Sequence, residues 1–276
     1  MTRAAASCHT ALVSVKPSPA VPAPAATLVL LRDRPGGGCE TLLIRRHEKS
    51  RFAAGDFVFP GGKLEPEDAP DDPARWCGGL SAADAARALG LPDGARALAY
   101  WVAAIREAFE EVGILLARTA DGAPAALDGP RWLDYRRACQ RDHRAFRDML
   151  RAERLTLDAG ALVHFAHWIT PEENPVRFDT RFFAAATPPG QEAAPDEREI
   201  TAVRWMTPAE ALAARETGEI SLRRPTMANL ALIDGARTTA AALRALSGRV
   251  VAPIRPRIVV ENGVQRALLP GDPGWY

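Results

Sequence analysis

Residues 95–112 constrain this chain more than any other stretch. Trp101, Ala104, Ile105, Ala108, Phe109 and Val112 recur at i, i+3, i+4, i+7, i+8 and i+11, the spacing of one apolar helical face. Gly113 suits the left-handed position that ends a helix. A long helix with a single apolar side needs a second layer to cover it. Strand-length apolar runs are available at 26–32, 40–46, 57–59, 162–168, 178–184 and 200–206. The remaining pattern predicts a short helix at 81–89 with Ser81 as N-cap, one or two helices in 130–156, a helix opening at Thr207-Pro208, and one helix across 226–246 before a β-rich tail. Strands and helices mix without regular βαβ alternation, so the expected class is α+β, a layered sandwich. Residues 1–25, rich in Ala and Pro, read as a flexible tail.

Charge and cysteine usage narrow the function classes. Lys+Arg 35 against Asp+Glu 34 leaves a net charge of +1, so no global basic field points to nucleic acid. No apolar run reaches the roughly 18–20 residues of a membrane helix, and no membrane partner is expected. Cys8, Cys39, Cys77 and Cys139 are scattered without a C-x-x-C pair, which argues against a zinc site and for inert thiols in a reducing, cytoplasmic setting. His164 and His167, three apart in a predicted strand, should point to opposite faces and serve structure. The charges of 131–154 alternate in sign and read as solvated helix faces.

The chemistry concentrates on the long helix. In Arg106-Glu-Ala-Phe-Glu-Glu-Val-Gly-Ile114, Glu107, Glu110 and Glu111 sit at i, i+3 and i+4 and project together, away from the apolar stripe. Taken alone, this is a solvated acidic face with Arg106 paired to Glu110. Upstream, however, a strand runs into Gly61-Gly62, and Asp68 follows Gly62 after five intervening residues. Together these residues resemble the Nudix hydrolase box. The second half matches from Arg106 to Ile114. In the first half Asp68 stands where Glu is usual, and 37 residues (69–105) replace the usual seven. Leu42-Leu43, Arg46, Arg51, Gly55 and Phe59-Pro60-Gly61-Gly62 resemble the motif of the coenzyme A diphosphatases of that family, with Ile44 and His47 departing from it. A long insertion inside the box is itself similar to the acyl-CoA diphosphatase branch, as are Trp168–Pro171 and Arg177–Thr180.

The resemblance implies a Nudix-type α/β/α sandwich with a mixed sheet, spanning 26–215, with a lid-like insertion at about 69–100 and a C-terminal extension (216–276) packed on it as a cap or a dimer contact. It implies hydrolysis of coenzyme A or acyl-CoA to 3′,5′-ADP and (acyl-)4′-phosphopantetheine with Mg²⁺ or Mn²⁺. Glu107 and Glu111 would be the principal metal ligands, Glu110 an additional one, and Arg106 an orienting partner. Asp68 holds a box position whose part in metal binding is in doubt. Gly61 and Gly62 would let the loop approach substrate. The general base stays open between a box glutamate and Glu199, whose alternative is a solvated loop carboxylate. Arg46 and Arg51 would bind phosphate, the 3′-phosphate of coenzyme A being the obvious target, against local ion pairing in an Arg-biased chain. Two rivals remain: a diphosphatase of other conjugates, such as ADP-ribose or a dinucleotide, and a non-catalytic nucleotide sensor.

Overall fold

The computed structural model describes residues 19–50, 53–261 and 263–275. Arg51 and most of the N-terminal tail lie outside them. The elements in chain order are β1 (Ala23–Asp33), β2 (Cys39–Arg46), β3 (Phe57–Val58), β4 (Gly61–Lys63), α1 (Pro73–Trp76), α2 (Ala82–Leu89), α3 (Gly94–Val112), β5 (Ala117–Arg118), α4 (Arg131–Cys139), α5 (Arg144–Ala152), β6 (Thr156–Leu157), β7 (Val163–Ile169), β8 (Phe178–Ala186) and β9 (Ile200–Met206). Then follow α6 (Pro208–Glu216), α7 (Arg224–Ile233), α8 (Thr239–Leu246), β10 (Pro253–Ile254), β11 (Arg257–Glu261) and β12 (Val264–Leu268).

An eight-stranded mixed sheet runs β10-β7-β8-β1-β2-β3, with β4 joining β1 and β9 joining β2. β1 pairs parallel with β8 and antiparallel with β2. The period-2 alternation of β1 builds two cores at once. Ala26, Leu28 and Leu30 face α3 and α2, whereas Val29 and Leu31 face α6, α7 and α8. The result is the expected sandwich, a mixed sheet with helices on both sides.

Local signals hold where side-chain chemistry is short-range. Ser81 caps α2 by accepting from the Asp84 N–H, and Gly113 ends α3 at φ 74°. The single helix expected over 226–246 is instead two. Asp234-Gly235 interrupts it, with Gly235 at φ 75°, and Thr238 restarts the chain by capping α8. Tertiary packing drives the break, because Leu230, Ile233, Ala242 and Leu246 all bury in the same core.

The inserted segment is not a lid. Trp76, Ala85 and Leu89 bury against α3, and none of the residues lining the main cavity falls within 69–100. The opposite-face expectation for the two histidines also fails. A bulge between His164 and Ala166 brings His164 opposite Phe183 and His167 opposite Arg181, on one face of β8. His164 packs against the rings of Trp101 and Phe183, and burial pulls its imidazole down to about 4. His167 bonds Asp179 at 2.5 Å. Cys39, Cys77 and Cys139 are free and buried, and desolvation pushes the thiols of Cys77 and Cys139 up to about 12. No helix is long and apolar enough to cross a membrane, among the described residues.

Candidate active site

α3 carries its carboxylates to the rim of a cavity of about 870 Å³. Glu107, Glu110 and Glu111 line it together with Gly61, Gly62, Arg46 and Glu199. The three glutamates are not a solvated face, since Glu110 and Glu111 are 7% and 6% exposed.

Arg106 lies behind them, 1% exposed, and every donor atom of its fork is engaged. Its Nε and Nη2 donate to the two Asp68 carboxylate oxygens at 2.8 and 2.9 Å. Nη2 also donates to the Lys63 carbonyl, and Nη1 to Glu107 at 2.9 Å and Glu110 at 3.2 Å. Burial would lower the guanidinium's pKa, but Glu107, Asp68 and Glu110 outweigh it and hold the group charged. Asp68 is therefore the counter-ion of Arg106, placed by the one-turn helix 66–68 that follows β4, and its second oxygen also accepts the Glu65 N–H.

The glycine loop fits against the carboxylates because it has no side chains. A Cβ on Gly62 would stand 2.4 Å from Glu107 Oε1, and one on Gly61 2.4 Å from the Ala26 carbonyl. The Gly61 N–H donates to Glu111 Oε2 at 2.9 Å. Sequence reading placed this segment only as a loop, yet Gly61–Lys63 is a strand on β1, and that pairing fixes the approach.

Burial and mutual repulsion set the protonation balance of the three glutamates. Desolvation raises Glu107, with Arg106 opposing it. Desolvation and the neighbouring Glu107 charge raise Glu111 well above the carboxylate range, opposed by the Gly61 N–H and Arg46. Glu110 is pushed up to about 8, chiefly by burial. Its Oε1 is buried without a hydrogen bond, 3.7 Å from His143 Nδ1. Glu111 Oε1 faces Arg46 Nη1 at 3.7 Å. Hard oxygen donors, desolvated together and under-compensated by protein cations, fit a divalent ion of the Mg²⁺ class. No cluster is pre-gathered to metal-binding spacing among the described residues. Repulsion explains that: two of the glutamates lean on Arg106 and the third on the Gly61 N–H.

Glu199 reaches the same cavity from the turn before β9. Asp196 Oδ1 collects the N–H groups of Arg198, Glu199 and Ile200 at 3.1, 3.0 and 2.8 Å, so it staples the loop that presents Glu199. The acidic run thus divides its labour.

α4 supplies what the sequence reading missed. Arg136, far from being on a solvated face, is 6% exposed and donates to the carbonyls of Glu110, Glu111 and Ala194. Gln140 adds a bond to the Glu110 carbonyl at 2.7 Å, so both side chains cap the end of α3 that bears the carboxylates. The available signal was position: Trp132, Arg136 and Cys139 share one buried stripe. The C-terminal extension also contributes, with Arg223, Arg224, Thr226, Pro256, Ile258 and Ala267 on the cavity wall.

The NUDT19 Nudix domain family matches residues 82–233. The acyl-coenzyme A diphosphatase NUDT19 of Homo sapiens is 32% identical over 228 residues, 70% of this chain and 60% of that protein. Its Gallus gallus counterpart is 30% identical over 253 residues, 73% and 65%. This chain thus spans about three fifths of the length of the curated relatives it matches. Among solved structures, a NUDIX hydrolase from Alicyclobacillus acidocaldarius superposes with a TM-score of 0.68 at 29% identity, over 83% of this chain and 99% of that one.

Proposed function

The chain belongs to the NUDT19 Nudix domain family, and from that premise we propose that its cavity hydrolyses the pyrophosphate bond of coenzyme A or acyl-CoA. The observation that carries this reading is the convergence of Glu107, Glu110 and Glu111 with the Gly61-Gly62 loop and Arg46 on one cavity. Relatives named acyl-coenzyme A diphosphatases support the substrate class.

Glu107, Glu110 and Glu111 would hold Mg²⁺ or Mn²⁺, which when bound offsets diphosphate charge and lowers the pKa of a coordinated water. Arg46, beside Glu111, presents its guanidinium to the diphosphate rather than to a distant phosphate. Gly61 holds Glu111 through its N–H, and Gly62 leaves Glu107 room to lie against the loop. Arg106, anchored by Asp68, orients Glu107 and Glu110 from behind and never touches substrate. Glu199, at the rim, accepts the proton of the attacking water as its oxygen bonds phosphorus and the P–O anhydride bond breaks. The products are 3′,5′-ADP and (acyl-)4′-phosphopantetheine. A cytoplasmic setting belongs to the same reading.

The test is a competition among CoA, an acyl-CoA, ADP-ribose and a dinucleotide at equal concentration with Mg²⁺ or Mn²⁺. Release of 3′,5′-ADP at the highest kcat/KM upholds the assignment. Preferred turnover of ADP-ribose keeps the chemistry and discards the substrate, and no turnover favours the sensor reading.

A further inference from the structure

The cavity has a second polar pole, which the three glutamates and Arg46 do not use. α7 opens there. The segment that enters it is held to β3, the strand that leads into the glycine loop, and to the residue before that strand: the Phe57 N–H donates to the Ser221 carbonyl at 2.8 Å, and Arg223 Nε donates to Asp56 at 2.6 Å. No described side chain caps this ten-residue helix. Pro225 has no N–H, so the amides of Arg224 and Thr226 are the ones without an intrahelical acceptor, and the aligned peptide dipoles leave that end positive.

A separate observation says what belongs there. Thr226 lines the cavity and is 4% exposed, yet its hydroxyl bonds no described residue. With no described protein partner, this hydroxyl is available to donate to a ligand oxygen in the cavity. Arg224, beside it on the cavity wall, is exposed and forms no salt bridge with a described residue. A helix N-terminus, a donor hydroxyl and a guanidinium on one wall match a phosphomonoester.

We propose that the first turn of α7, with Thr226 and Arg224, is a phosphate subsite distinct from the diphosphate centre, and that it holds the 3′-phosphate of the nucleotide half of the substrate. The location suits it. Both sites line one cavity, and the chain from Phe57 to the glycine loop connects them. Arg46 stands 3.7 Å from Glu111, and in the proposed function it binds the diphosphate. The anion site stands on its own geometry, whereas its assignment to the 3′-phosphate rests on the coenzyme A reading.

Two measurements test it on the full chain, using Thr226→Val, Arg224→Ala and, as a charge control away from the cavity, Arg244→Ala. The first is kcat/KM for CoA relative to 3′-dephospho-CoA. The wild type should favour CoA, and Thr226→Val and Arg224→Ala should each shrink that preference about tenfold, the size of one hydrogen bond to a charged group, while Arg244→Ala leaves it intact. The second is calorimetric titration with inorganic phosphate in EDTA, where the same two variants should bind about tenfold more weakly. Unchanged preference and unchanged phosphate affinity in both variants overturn the subsite. Weakened phosphate binding with unchanged preference overturns the 3′-phosphate assignment alone. If the wild type cleaves neither CoA form, the coenzyme A reading falls and the phosphate titration decides the subsite.

Discussion

Replacing Asp68 with Asn separates a positioning role from a metal-binding one. Asp68 and Arg106 are each 1% exposed on their side chains and meet through two hydrogen bonds of 2.8 and 2.9 Å. Removing one charge of such a buried pair typically costs about 3–5 kcal/mol, because the other charge stays buried. Arg106 retains Glu107 and Glu110, which places the loss near the lower end, about 3 kcal/mol. For a chain of this size that corresponds to a Tm drop of about 6–12 °C. Scanning calorimetry in EDTA reads the stability, and diphosphatase assays at 20 °C read the function. Turnover should fall less than about tenfold, since all three glutamates on the cavity remain, merely less well oriented. A Tm within about 2 °C of wild type, combined with a hundredfold loss of turnover, would falsify the argument and make Asp68 a ligand.

Glu111→Gln should leave the Tm within a few degrees and abolish metal-dependent turnover; residual activity above about 1% removes Glu111 from the centre. Gly62→Ala drives a methyl into the Glu107 carboxylate, so turnover should drop at least tenfold while circular dichroism stays native. Arg136→Ala strands the carbonyls of Glu110, Glu111 and Ala194 and should destabilise by about 2–4 kcal/mol, read as a shifted urea midpoint. For pH, burial pushes the Glu110 carboxyl up to about 8 from its ordinary value of about 4.5. The metal-free fold therefore prefers the protonated form, and stability falls as pH rises from about 4.5 to 8, by at most about 1.4 kcal/mol per unit. The Tm difference between wild type and Glu110→Gln in EDTA should widen over that window and close on adding Mg²⁺; a flat difference refutes the shift.

The sequence revealed what depends on short-range pattern. α3, its carboxylate face and its Gly113 stop follow from a 3.6-residue period and one glycine, and β9 and the Ser81 cap are similarly local. What escaped was set by distant partners. The break before α8 exists because two short helices bury Leu230, Ile233, Ala242 and Leu246 better than one straight helix. The bulge at His164 is a register event between β7 and β8 that no single-strand count contains. Arg136 looked like one more arginine in a biased chain, and only the end of α3 gives its guanidinium a task. The partner of Asp68 lies 38 residues away, so proximity in sequence said nothing about it.

The Asp68–Arg106 pair also changes how the inserted segment between them behaves. The two ends of the excursion are clasped directly to one another, so the intervening chain is a closed loop whose length the centre does not sense. Doubling such a loop costs only about 0.6 kcal/mol in closure entropy. Shortening it is another matter, since it would strip Trp76, Ala85 and Leu89 from α3. The segment is thus a tolerant port for grafting a peptide or a fluorescent label near its surface turns, without moving a carboxylate.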